Sequence, residues 1–286
     1  MAPIWGRYGP FFLYGYSVVL GLGVLLALGV TAWLARRKGP LPNPLPGGEG
    51  TGGWLDGALV AGGGALVGGR AVFVWLNAAY FAENPVEAWQ LGLGGLNYHG
   101  ALVGGLAALW LWARLSRRPF WPYAGLMTPG LALLVAFGWA ACAVEGCAYG
   151  RAAAPGLWAG DLPDDAGVYA LRYRTQLAGA MGALLVFAGA WWGAARLRPA
   201  TLFWGTLGGL ALVHAVVALG RGDASPVVLG VRLVVWAELA LLVAAVVGWR
   251  GLGGAEEGRN NSALGDDIRT FVLGWPGCAV LLQWAA

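Results

Sequence analysis

The sequence predicts a polytopic all-α membrane protein of about seven transmembrane helices, on three observations. Hydrophobic residues make up 58% of the 286 residues and charged ones only 11%, where a soluble domain carries about 25% charged residues. The apolar segments recur at about the 20 residues needed to cross a bilayer core of roughly 30 Å. Short Lys/Arg clusters close alternate segments, the pattern of cytoplasmic loops. The mean hydropathy is +0.64. The 50 Gly and 17 Trp agree with this reading, since Gly lets membrane helices approach closely and Trp gathers at the lipid–water boundary.

Taken in order, the first span is expected from about Pro10 to Ala35, stopping at Arg36-Arg37-Lys38. The second runs from about Trp54 to Phe81 around one charge, Arg70. The third starts near His99 and ends at Arg114, with Arg117 and Arg118 following. The fourth covers about Pro122 to Val144, and the fifth about Thr175 to Ala195, before Arg196 and Arg198. The sixth covers about Thr201 to Gly220, and the seventh about Val228 to Trp249, before Arg250. Four basic clusters then share one side. The positive-inside rule makes that side cytoplasmic, with the N-terminus outside and the C-terminus inside. Glu83, Glu87, Asp161, Asp164 and Asp165 fall outside.

Residues 1–250 form one membrane domain in this reading. The Pro/Gly-rich stretch 39–53 is expected to be a disordered cytoplasmic loop. The tail 251–286 is expected to lie outside the core, because its apolar piece Phe271–Ala286 is short for an eighth span. The first apolar run is too long for a signal h-region and lacks a small-residue cleavage site, so no cleavable signal peptide is expected. The net charge of +4 sits in loop clusters and is no nucleic-acid footprint. Neither an internal repeat nor a matched pair of broken helices points to a transporter. Cys142 and Cys147, five apart, fit neither a disulfide framework nor a zinc pattern. They are read first as small packing residues, with a bridge or a reactive thiol as the alternative.

Ionisable groups inside a membrane are costly and mark sites or wet cavities. Arg70, flanked by apolar sequence, calls for an anionic partner, either a protein acid or a lipid phosphate, unless it snorkels to the interface. His99 stands where the third span begins, in Tyr98-His99-Gly100, followed by small residues that permit close packing. Between the fourth and fifth spans, Gly146 and Gly150 permit tight turns, and Glu145 and Arg151 offer an ion pair or ligand contacts. Arg172, Arg174 and Arg221 are basic on the acidic side, which favours anion binding or interfacial anchoring.

With those residues in order, the chain resembles the prolipoprotein diacylglyceryl transferases. Leu13-Tyr14-Gly15 is similar to their first-span element. Gly68-Gly69-Arg70, Asn84-Pro85, Gly94-Gly95-Leu96 and Tyr98-His99-Gly100 resemble their second and third spans. Gly138 to Arg151 corresponds to their fourth-span signature, Arg174-Thr175-Gln176-Leu177 to a Thr/Ser-Gln-Leu step, and Arg221-Gly222-Asp223 to the end of a sixth-span motif. The order and spacing agree over about Trp5 to Arg250.

The resemblance implies transfer of the diacylglyceryl group of phosphatidylglycerol to the lipobox cysteine thiol of a prolipoprotein. It implies a bacterial plasma-membrane location, no metal or other cofactor, and no nucleic-acid partner; a monomer is expected. It gives His99 the task of orienting the lipid head or assisting deprotonation. Arg70 holds phosphate or braces the site, and Tyr14 donates a hydrogen bond to a head-group oxygen. Tyr98, Gly100, Glu145, Gly146, Gly150, Arg151, Gln176, His214 and Arg221 line the substrate. The sequence departs from the family pattern at five places. Trp139 and His214 stand where the family has Arg, Cys142 where it has Asn, Ala218 where it has Glu, and Ala178-Gly179 where it has Tyr-Glu. Those departures keep a second reading open: a non-catalytic or repurposed relative that binds anionic phospholipid. A transporter or a structural membrane protein is the more distant alternative.

Overall fold

The computed structural model describes residues 4–8, 11–38, 53–91, 95–164 and 166–255. Its order is β1 (Ile4–Tyr8), β2 (Phe11–Tyr14), α1 (Gly15–Lys38), α2 (Gly53–Leu76), α3 (Ala78–Glu83), a 3₁₀ turn (Pro85–Trp89), α4 (Tyr98–Leu115) and α5 (Phe120–Glu145). There follow β3 (Ala159–Pro163), β4 (Tyr169–Tyr173), α6 (Thr175–Gly193), α7 (Pro199–Gly220), β5 (Val227–Val228), β6 (Val231–Arg232) and α8 (Leu233–Ala255). The expected disordered loop lies outside the described residues, apart from Gly53, which opens α2. So does the tail beyond Ala255.

Among the described residues, six helices are long and apolar enough to cross a membrane: α1, α2, α5, α6, α7 and α8. The expected third span, α4, is a helix of 18 residues but is not among them, because Tyr98, His99 and Arg114 occupy its ends. Leu25, Val67, Leu185 and Val216 on the long helices are exposed. Such apolar surface suits lipid, where each backbone group must be satisfied inside a helix.

Three span ends differ from the sequence expectation. Phe11–Tyr14 does not begin the first helix but pairs antiparallel with Ile4–Tyr8. The second span stops at Leu76, and Asn77 separates it from α3, its amide capping the carbonyl of Phe73 at 2.8 Å. Val227–Arg232 forms a two-stranded hairpin rather than helix. Its turn residues Leu229 and Gly230 both have positive φ, 52° and 76°, the turn that matches strand twist.

The chain divides into two compact units, Met1–Thr31 with Met127–Ala286, and Ala32–Leu126. Within the smaller unit α2 lies directly on α4. A Cβ on Gly68 would sit 2.4 Å from the carbonyl oxygen of Gly100, and one on Gly104 would sit 2.3 Å from that of Gly64. Two Gly-x-x-x-Gly pairs thus face one another, bringing backbones into contact where hydrophobicity gives helices no drive to associate. Within the larger unit α7 and α8 interlock by exchange: Trp204 covers Gly248, and Trp249 covers Gly205.

Candidate lipid head-group site

The smaller unit carries Arg70, Tyr98, His99 and Gly100. Arg70 is 6% exposed, inside α2. Its guanidinium donates to the main-chain carbonyls of Glu87, Ala88, Gln90 and Gly95, at 2.5 to 3.3 Å. The rings of Phe73 and Phe81 lie 5.5 and 5.4 Å from its central carbon. Three of those carbonyls belong to the 3₁₀ turn and its end, where carbonyl dipoles point out of the turn and attract a cation. Arg70 therefore braces the segment that leads into α4. Asn97 caps that helix, its Oδ1 accepting from the Gly100 amide at 2.9 Å. The cap places Tyr98 and His99 in the first turn, their rings edge to face at 5.2 Å, and Gly100 is buried under α2.

The larger unit carries Tyr14, Glu145, Gly146, Gly150, Arg151, Gln176, His214 and Arg221. Tyr14 ends β2, opposite Ile4. Glu145 closes α5, and Gly146 takes the left-handed φ of 88° that turns the chain out of it. Gln176 and Thr175, both 4% exposed, pin the turn to α6. The Gln176 amide donates to the carbonyl of Cys147 at 2.8 Å, and the Thr175 hydroxyl to that of Ala148 at 2.7 Å. Gly150 is required by approach, since a Cβ there would lie 2.2 Å from the carbonyl oxygen of Tyr173. Gly150 also bridges to Arg221, the amide of Arg151 donates to Gly220 at 2.9 Å, and the amide of Gly222 to Tyr149 at 2.8 Å. The turn after α5 and the end of α7 are thus one hydrogen-bonded piece.

Cys142 and Cys147 are joined by a disulfide, so the alternative reading of that pair holds and the packing reading does not. The bridge closes the turn back on the last helical residues of α5. A bridge of this kind narrows the freedom of the unfolded chain and so favours the closed turn.

The departures from the family pattern meet in one place. Trp139 of α5, His214 of α7 and Glu238 of α8 are 9%, 8% and 0% exposed. Trp139 Nε1–H donates to His214 Nε2 at 3.0 Å, and His214 Nδ1 lies 3.2 Å from Glu238 Oε1. An indole nitrogen only donates, so Nε2 is the acceptor and Nδ1 carries the proton. A neutral histidine thereby bridges three helices. Gly179 belongs to the same arrangement, because a Cβ there would lie 2.3 Å from the Trp139 ring. The small residue at 179 and the large ring at 139 fit each other, and His214 answers the indole.

Glu238 and Arg232 escape a motif-based reading. The signal for Glu238 was present: it is the only acid in the last span, and an intramembrane carboxylate marks a partner. Arg232 was hidden inside a segment read as helix. It donates to the carboxylate and main-chain carbonyl of Asp223, and Arg221 grips the same carboxylate with two N–H groups. Burial pushes the Asp223 carboxyl up. The hydrogen bonds and charges of Arg221, then of Arg232, outweigh burial and hold it below the ordinary carboxylate value. Among the described residues no cluster of three or more His, Cys, Asp or Glu is placed to hold a metal.

Relatives add to this geometry. The chain is 35% identical over 130 residues to the phosphatidylglycerol–prolipoprotein diacylglyceryl transferase of Thermus thermophilus, covering 46% of this chain and 43% of that one. It is 34% identical over 164 residues to the protein of that name from Azoarcus sp., covering 56% and 57%. It is 29% identical over 171 residues to that of Photorhabdus laumondii, covering 58% and 55%. The matches span about half the length of these curated relatives. The sequence model of the prolipoprotein diacylglyceryl transferase family matches residues 3–250, every described helix but the end of α8, and the chain belongs to that family.

Proposed function

We propose that the chain transfers the diacylglyceryl group of phosphatidylglycerol to the lipobox cysteine of a prolipoprotein. The thiol loses its proton, and its sulfur attacks the glyceryl carbon that bears the phosphate ester. The carbon–oxygen bond breaks, a thioether forms, and glycerol phosphate leaves with the negative charge. The chemistry asks for a base or a positive field at the thiol and for cationic donors at the phosphate. His99 assists the deprotonation or orients the lipid head. In the larger unit Tyr14 and Arg151 meet the head group, Arg221 the phosphate, and the pinned turn from Glu145 to Gly150 shapes the site with Gln176; in the smaller unit Tyr98 and Gly100 flank His99. Arg70 is a positioning residue that holds the segment before His99. No cofactor enters this scheme, and a monomer of residues 1–250 suffices for it. The family match across residues 3–250 is the observation that carries the reading.

The chain works in the bacterial plasma membrane, N-terminus outside. Support for that orientation comes from the basic clusters at alternate helix ends, and from the Cys142–Cys147 bridge, which belongs in an oxidising space. The test supplies purified protein with phosphatidylglycerol and a lipobox peptide and weighs the product. A diacylglyceryl adduct on the peptide cysteine, lost in His99→Ala while the variant still inserts, is expected. A specific observation favours the second reading, a relative that binds anionic lipid without transfer: the hydrogen-bonding atoms of Trp139 and His214 face each other. Lipid bound with no adduct, under conditions where a relative from the same family is active, establishes that reading instead.

A further inference from the structure

The hairpin between α7 and α8 carries two features that make poor sense in water. Its tip is apolar: Leu229 is 87% and Val227 61% exposed. Leu229 also holds a left-handed backbone, φ 52°, where Gly, Asn or Asp would be favoured in a solvated turn. A bulky side chain is kept at a position that punishes it, and is then left uncovered. Beneath the tip Trp236, 41% exposed, donates its indole N–H to the Val228 carbonyl at 3.1 Å. An amphipathic ring with a satisfied polar edge is typical of the lipid–water boundary.

The base of the hairpin is cationic. Two guanidiniums, Arg221 and Arg232, share the single carboxylate of Asp223, which leaves one positive charge in excess. Both arginines keep about a fifth of their side-chain surface exposed, and Asp223 keeps 12%. Asp223 orients both cations and does not neutralise them. Two oriented guanidiniums with N–H groups to spare suit a phosphodiester, which they can bind bidentately.

We propose that the β5–β6 hairpin is a docking site for an anionic phospholipid, with Arg232 and Arg221 on the phosphate and Leu229 and Val227 among the first acyl carbons. The site extends the phosphate role given to Arg221 above, and adds Arg232, the tip and Trp236. Its occupant is a lipid of the leaflet, because the apolar tip adjoins the charge; a soluble anion would use the charge alone.

The test is lipid retention, which needs no transfer. The full chain is placed in phosphatidylcholine nanodiscs containing phosphatidylglycerol, released, and its bound lipids are counted by native mass spectrometry. Wild type is expected to retain phosphatidylglycerol over phosphatidylcholine. Arg232→Gln should lower that retention about fivefold, the worth of one basic residue at a membrane surface. Leu229→Ser should weaken retention of both lipids. A nitroxide on Leu229→Cys, in a Cys278→Ala background, should be relaxed by oxygen and shielded from a water-soluble nickel chelate. Unchanged retention in Arg232→Gln, with a native melting temperature, overturns the proposal, as does a water-exposed label at 229. Soluble glycerol phosphate that displaces the lipid at equal concentration also overturns it, since the site would then read an anion and no membrane. Lipid retention without transfer leaves this site standing and removes the proposed reaction, so the two failures are distinct.

Discussion

Replacing His214 by Leu should cost much more than replacing its partner Glu238 by Leu, and the two costs should not add. His214 accepts from Trp139 at 3.0 Å and meets Glu238 at 3.2 Å, and Glu238 has no solvent exposure. His214→Leu keeps the volume roughly constant but strips the carboxylate of this partner. Removing one member of a buried pair costs about 3–5 kcal/mol, and the stranded indole N–H adds about 1–3 kcal/mol. Glu238→Leu strands the Nδ1–H of His214, about 1–3 kcal/mol, and relieves the desolvation of a carboxylate. In the double variant the indole N–H is stranded but no carboxylate loses its histidine, so it should be more stable than His214→Leu alone. For a chain of this size 1 kcal/mol moves the melting temperature by about 2–4 °C. His214→Leu should therefore melt at least roughly 6 °C lower than wild type, and adding Glu238→Leu should recover much of the loss. Tryptophan fluorescence melts in detergent read this directly. Equal losses for the two single variants, or additive losses in the double, would refute the reasoning.

Three further outcomes follow from the same structure. Gly179→Val drives a side chain into the Trp139 ring and should cost about 1–3 kcal/mol by overpacking, while Gly179→Val with Trp139→Leu should regain part of it in the same melt. Arg70→Lys replaces a fork that reaches four carbonyls by a point charge that reaches fewer, at a cost of about 2 kcal/mol or more; limited proteolysis between Asn84 and Asn97 should speed up. The Asp223 carboxyl lies below its ordinary value, so its contribution to stability is complete above about pH 4 and is lost as pH falls further. An acid melt series should show Asp223→Asn less pH-dependent than wild type in that range.

Helices were legible because burial in lipid leaves a simple trace: apolar runs of one length, closed by Arg. The hairpins were not, because a strand of Phe11–Tyr14 or Val227–Val228 is as apolar as the helix beside it, and periodicity over so few residues decides nothing. Tyr14, His99, Gly150 and Gln176 could be picked out because the family motif spells them. Arg70 drew notice as a charge in a span, yet its carbonyl partners lie 17 to 25 residues away, a distance sequence cannot fold. The replaced positions 139, 179 and 214 read as separate losses along the chain. In space they are one exchange, and Glu238, which no motif spells, completes it.

The bridge between Cys142 and Cys147 also bears on how the protein matures. A nascent chain enters the bilayer with free thiols, and these pair only on meeting an oxidant. Until then hydrogen bonds alone, from Gln176, Thr175 and the end of α7, secure the turn. Newly inserted molecules would thus carry an unfinished turn and ripen with the oxidant supply, so starving the cell of oxidant should leave them inserted, reduced and open to maleimide.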